Sequence, residues 1–145
     1  MQCLEGRLRP PFFFLFALTL ATAGCAARSG ASFPGEVTGA VTYRERLALP
    51  PEAELSVTLY ETTLAGAAPK FIAAQLVQGP GGSPMRYRVV YPPGVIDARA
   101  GYSLVARIEV GGALWFVNER PVPVLTLGNP ARADIVVTRD AGRGP

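Results

Sequence analysis

From Val37 onward, apolar side chains recur at every second position, and that rhythm restricts the chain more than any other feature in it. Successive side chains of an extended strand point to opposite faces, so alternation predicts half-buried strands. Val37, Gly39, Val41 and Tyr43 alternate with Thr38, Ala40 and Thr42. Leu55, Val57 and Leu59 alternate with Ser56, Thr58 and Tyr60, and Met85, Tyr87, Val89 and Tyr91 with Arg86, Arg88 and Val90. Tyr102, Leu104, Ala106, Ile108 and Val110 alternate with Ser103, Val105, Arg107 and Glu109. Leu114 to Asn118 and Ala133 to Thr138 are two further runs, and Thr, Val and Tyr, which suit a pleated surface, are enriched throughout. Ile72, Ala74 and Leu76 can share one strand face, although KFIAAQLVQ also reads as a short helix.

Turn residues separate these runs: Pro50-Pro51, Gly79-Pro80-Gly81-Gly82, Pro92-Pro93-Gly94, Gly111-Gly112 and Gly128-Asn129-Pro130. The pattern predicts an all-β domain over residues 37–138, a single antiparallel β-sandwich of about seven short strands. The sharpest local expectation is a tight hairpin at Gly111-Gly112, since both residues tolerate positive φ. A two-residue loop would pair Val110 with Ala113, Ile108 with Trp115 and Arg107 with Phe116. Leu104, Ala106, Ile108, Trp115 and Val117 would then face the core. Val105, Arg107, Glu109, Leu114, Phe116 and Asn118 would form a mixed second face.

Residues 1–24 have the parts of an export signal. Arg7 and Arg9 give a positive start diluted by Glu5, PFFFLFALTL an apolar core, and Ala21-Thr22-Ala23-Gly24 small residues before Cys25. The uncharged run of about 18 residues is near the lower limit for a membrane span and has no basic flank directly after it. Ala23-Gly24-Cys25 resembles the bacterial lipobox, in which the Cys is diacylated and becomes the new N-terminus. Ala21-Thr22-Ala23 also fits an ordinary A-x-A cleavage site, which would leave a secreted or soluble periplasmic protein with an unpaired thiol. Stable anchoring needs more than one acyl chain, which a triacylated Cys25 would supply. Residues 25–36 then read as a flexible tether. The ten residues Ala26 to Gly35 would average roughly 17 Å end to end. Residues 139–145 read as a disordered tail.

Composition excludes several kinds of chemistry. Removal of the leader leaves 12 basic and 10 acidic residues (14 − 2 and 11 − 1), a net +2 with no clustered basic stripe, which argues against nucleic acid. Cys3 leaves with the leader, so the mature chain has no intramolecular disulfide. The chain contains no His, which removes Ser-His-Asp and Cys-His arrangements and the usual neutral metal ligand. Lys70, the sole lysine, is a poor partner for a Ser-Lys dyad in its loop beside Pro69. Glu52, Glu54 and Glu61 read as a solvated edge rather than an acid/base pair, and Asp134 and Asp140 are too sparse for a calcium loop. The sequence therefore predicts no catalytic residues, no metal and no cofactor.

Three blocks carry a family resemblance. VTYRERLALPP followed by ELSVTLYE resembles the opening of the YbaY-like lipoprotein domain. YSLVARIE with its Gly turn and Leu114-Trp115-Phe116 resembles the second half, and PVLTLGNP the closing segment. The chain departs from the pattern at Glu119-Arg120-Pro121, where relatives carry small polar residues and a tyrosine. The resemblance covers most of residues 37–138. The family is related to YscW-type pilotins, lipoproteins of type III secretion that carry a secretin subunit to the outer membrane. The resemblance thus implies a β-sandwich, an envelope location and a non-enzymatic role. With Ala26 after the Cys, rather than Asp, resemblance to Gram-negative lipoproteins implies sorting to the outer membrane.

Two sets of residues stand out as binding candidates. Arg107, Leu114 and Phe116 on the mixed hairpin face would combine an apolar patch with a bidentate donor suited to a peptide. Arg44, Glu45 and Arg46 form a charged turn, either a recognition site or a connection with local ion pairs. Trp115 reads as core on the expected pairing, and as a binding anchor otherwise. The expectation is an outer-membrane lipoprotein, anchored through Cys25 on the periplasmic side, whose β-sandwich binds a protein or other envelope component; the alternative is a pilotin-like chaperone that assists assembly or localisation of a secretin. The rival expectations are an envelope enzyme acting on glycan and a small-ligand carrier.

Overall fold

The computed structural model describes residues 34–62 and 66–140. The expected signal peptide, Cys25, most of the expected tether and residues 141–145 of the expected tail lie outside the described residues. Among the described residues there are eight strands and no helix: β1 (Gly35–Tyr43), β2 (Ala53–Glu61), β3 (Lys70–Gln78), β4 (Met85–Tyr91), β5 (Tyr102–Val110), β6 (Ala113–Val117), β7 (Val122–Val124) and β8 (Ile135–Arg139). The alternation places Val37, Val41, Leu55, Val57, Leu59, Val89, Leu104, Ala106 and Ile108 fully inside. Each large aliphatic side chain so buried contributes about 1.5–3 kcal/mol by leaving water. The segment that also read as a helix is β3, which pairs antiparallel along β2 with a bulge between Leu59 and Tyr60. β7 carried no alternation signal. It is three residues long with Pro123 at its centre, as the edge of a sheet tolerates.

The expected sandwich is corrected to one continuous sheet curled almost into a barrel. Its order is β3-β2-β5-β6-β8-β1-β4, with β7 also pairing with β5. The strand that joins the two halves is β8, antiparallel to β6 and parallel to β1. Alternation fixes which face of a strand is buried but says nothing about its neighbours, so the last strand could not be placed from its own residues. The first and last strands of the path, β3 and β4, meet at a seam that side chains rather than a ladder close. There the Gln75 Oε1 accepts the backbone N–H of Arg88.

The β5–β6 hairpin differs from the simple two-residue reading in one register step. Gly111 and Gly112 have φ of 58° and 81°, and the pairs Val110–Ala113 and Glu109–Leu114 form as the tight loop requires. The register then shifts, so that Ile108 faces Phe116 and Arg107 faces Val117. Trp115 is the extra residue of a β-bulge, half-buried against the edge of the core. Phe116 is fully buried and stacks on Tyr43 with ring centroids 5.2 Å apart.

Two polar devices fix the frame. Asn118 is buried where β6 gives way to β7. Its Oδ1 accepts the N–H of Ala106 at 2.8 Å and its Nδ2 donates to the Leu104 and Arg120 carbonyls at 3.3 and 2.7 Å. On the other side of the barrel the Tyr87 hydroxyl donates to the Ala133 carbonyl at 2.5 Å. Gly39, paired with Tyr87, lets this happen, since a Cβ there would lie 1.7 Å from the Ala133 oxygen.

Candidate functional site

Among the described residues the barrel interior is filled by its own side chains, and the hollows described below lie on its outside. β2 and β5 pair in register, and their outward residues form rows with those of β3. Tyr60 lies between Phe71 and Ser103, Thr58 between Ala74 and Val105, and Ser56 between Leu76 and Arg107. This outer face is unusually apolar for a surface, with Phe71 60% and Leu76 57% exposed.

A groove of about 260 Å³ runs along the face, floored by Tyr60, Ser103 and Val105. Pro69, from the β2–β3 connection, and Pro121, from the β6–β7 connection, also line it, with Arg107. Tyr60 is held edge-on by Phe71, with ring centroids 6.4 Å apart. Such a groove offers van der Waals surface to an apolar side chain and one guanidinium to a carboxylate or backbone carbonyl. Pro121 belongs to the segment at which the chain departs from its family resemblance.

A second hollow of about 320 Å³ shares Thr62 and Ser103 with the first and continues it to Leu127 and Asn129. The turn beyond it is strained. Leu125 has φ of 70° and its flanking residues close a three-residue γ-turn, with the Thr126 N–H donating to the Val124 carbonyl at 2.8 Å. Leu127 also has a positive φ, 57°. Leucines in this region cost of order 1–3 kcal/mol each and persist only when the surroundings enforce them. Here the enforcement comes from the buried Thr126, whose hydroxyl donates to the Ala100 carbonyl at 2.5 Å, and from Asn129, whose Nδ2 donates to the Thr126 carbonyl at 2.7 Å. The result is a leucine side chain 69% exposed at the far end of the groove.

The structure separates the residues that the sequence grouped. Arg107 is exposed and lines the groove. Leu114, opposite Glu109, is half-buried. Phe116 belongs to the core and cannot join an outer patch, because the bulge at Trp115 turns it inward. Arg44 and Arg46 are exposed on the turn after β1. Glu45 between them is half-buried, and its Oε2 is shielded from solvent without a hydrogen-bond partner. Arg44 lines a separate hollow with Arg120, Val136 and Thr138, so the two candidate sets do not form one site. Tyr60, Phe71 and Leu127 were missed. Tyr60 and Phe71 lie on outward positions of two strands whose pairing no local pattern specifies, and Leu127 owes its exposure to the γ-turn. Among the described residues no group of three or more His, Cys, Asp or Glu could hold a metal ion.

The geometry defines a small curled sheet with a packed interior and an apolar outer groove. Comparison with known proteins adds a family to that geometry. The model of the type III secretion system lipoprotein chaperone family (YscW) matches residues 34–137, and the chain belongs to that family. It is 34% identical over 102 residues to the uncharacterized lipoprotein YbaY of Escherichia coli (strain K12). That match takes in 70% of this chain and 53% of the relative, so the chain spans about half the length of the curated protein it resembles. An alternative pilotin from the type II secretion system of Vibrio cholerae has the same fold, with a TM-score of 0.72 and 32% identity. The likeness covers 76% of this chain and all of that one.

Proposed function

We propose that this chain is a non-enzymatic, pilotin-like chaperone, anchored by acylated Cys25 to the periplasmic side of the outer membrane. Its groove binds a segment of an envelope protein, for which a secretin subunit is the fitting partner. The observation that carries the reading is the groove itself, in which Tyr60, Val105 and Pro121 offer apolar surface beside one exposed cation, Arg107. Kinship with a lipoprotein chaperone family and a pilotin supports the partner class, and the lipobox-like Ala23-Gly24-Cys25 supports the anchor. The leader over residues 1–24 would be removed on export.

The test is secretin assembly in cells that carry a Val105→Glu chain. Val105 is half-exposed on the outer face, so a carboxylate there disturbs the groove and not the core. Secretin multimers should reach the outer membrane with the native chain and stay mislocalised with Val105→Glu, although both proteins unfold at the same denaturant midpoint. Normal secretin localisation in the variant, or in cells lacking the gene, would overturn the reading.

A further inference from the structure

A second outer face of the barrel, on other strands, is rich in arginine. It consists of the outward residues of β4, β1 and β8 and the connections beside them. Thr38 lies between Arg88 and Arg132, Ala40 opposite Arg86, and Thr42 beside Val136. Arg86 and Arg132 border a shallow cleft of about 650 Å³ that includes Thr38, Ala40 and Thr42, and Arg44 and Arg120 rim the adjoining hollow with Glu119. Glu36 is paired with Arg88 at 2.5 Å. Asp134, which also lines the cleft, accepts the N–H of Ala40 at 3.0 Å and is, among the described residues, the one carboxylate beside the arginines there. Among the described residues no carboxylate lies within ion-pair distance of Arg44, Arg86, Arg120 or Arg132. The outer face of β2 and β5, by contrast, shows Glu54 and Glu109 beside Arg107.

We propose that this arginine face rests on the phosphates of an anionic lipid surface, leaving the groove turned to the periplasm. Small hydroxylated and methyl side chains form a low floor, and the guanidiniums around it suit phosphodiester oxygens. The tether favours a lipid surface over an acidic protein. β1 begins at Gly35, ten residues after Cys25, and a coil of that length averages roughly 17 Å end to end. The inference rests on the anchoring proposed above.

Phenylglyoxal footprinting of the full, membrane-purified chain tests it, after reconstitution into vesicles of phosphatidylcholine alone or with phosphatidylglycerol at about one lipid in three. Arg44, Arg86, Arg120 and Arg132 should be modified about five-fold more slowly on the anionic vesicles, with Arg107 unchanged and the difference abolished by molar salt. Arg86→Glu with Arg132→Glu should remove the protection of Arg44 and Arg120. Equal rates on both vesicles, or protection of Arg107 instead, would overturn the inference while leaving the anchor intact. Equal protection by soluble polyaspartate on neutral vesicles would assign the face to an acidic polypeptide and overturn it too. Failure of the chain to float with any vesicle would overturn the anchor, and this inference with it.

Discussion

Tyr87 lies inside the barrel over Gly39, with its hydroxyl on the Ala133 carbonyl. Burial, with a smaller contribution from the Asp134 carboxylate, pushes its pKa up to about 12 from 10.0. The folded state thus holds the phenol proton more tightly than the unfolded chain does. Stability from this group is complete below pH 10 and is lost as pH rises toward 12. The Tyr87→Phe chain should lose less stability than the native chain between those two pH values, as the urea midpoint measured at each pH would show. At neutral pH the same substitution leaves the Ala133 carbonyl without its donor and costs about 1–3 kcal/mol. Gly39→Ala should be worse, because the atom it meets is backbone and cannot swing away. Phe116→Ala removes a fully buried ring stacked on Tyr43 and should cost about 3–5 kcal/mol. Trp115→Ala, at a half-buried bulge, should cost clearly less; the two denaturation midpoints decide between this register and the regular hairpin, which would rank them the other way.

Strand identity was legible where a strand has one wet and one dry face, as in β1, β2, β4 and β5, because period two is then written in the residues themselves. It failed where that contrast is absent. β3 is an edge whose outward Phe71, Ala74 and Leu76 are as apolar as its inward neighbours, so helix and strand both fitted. The bulge at Trp115 was invisible because one extra residue between two aromatic neighbours leaves the composition of the run unchanged while reversing its faces. That single step decided the candidate site: it removed Phe116 from the outer face and left the groove to residues of β2 and β5 and the connections beside them. The β3–β4 seam is the element that no local signal marks. Two strand edges meet there without a ladder, and Gln75 satisfies one Arg88 N–H with its side chain. Gln75→Ala should cost about 1–3 kcal/mol and speed hydrogen exchange at the Arg88 amide, with exchange in β5 unchanged. An Arg88 amide as slow as before would show that the seam is held by something else.

At the scale of the molecule, near-closure of one sheet is what gives the domain two usable outer faces. A sandwich of the same strands would also bury one side of each, but here β8 links the halves and carries the surface round without a break. The apolar groove and the arginine face are therefore carried by different strands of a single wall around a shared core, and they approach each other at the β6–β7 connection, where Pro121 lines the groove and Arg120 the arginine-rimmed hollow. The family was legible from sequence blocks, whereas the two faces needed the strand order, which blocks do not encode. The proposed anchor acts on this wall as a whole. Acyl chains contribute about 0.8 kcal/mol per buried methylene, far more than the arginines alone could supply. Cys25→Ser should therefore move the chain from the membrane pellet to the soluble periplasmic fraction. Its urea midpoint should not change, since the core begins at Val37, twelve residues beyond the Cys (37 − 25). Groove binding, measured with the purified chains, should survive as well, because no groove residue precedes Tyr60. A Cys25→Ser chain that still sediments with membranes at high salt would show that attachment does not run through this thiol. A chain that loses its partner in solution would show that the N-terminal segment belongs to the binding site.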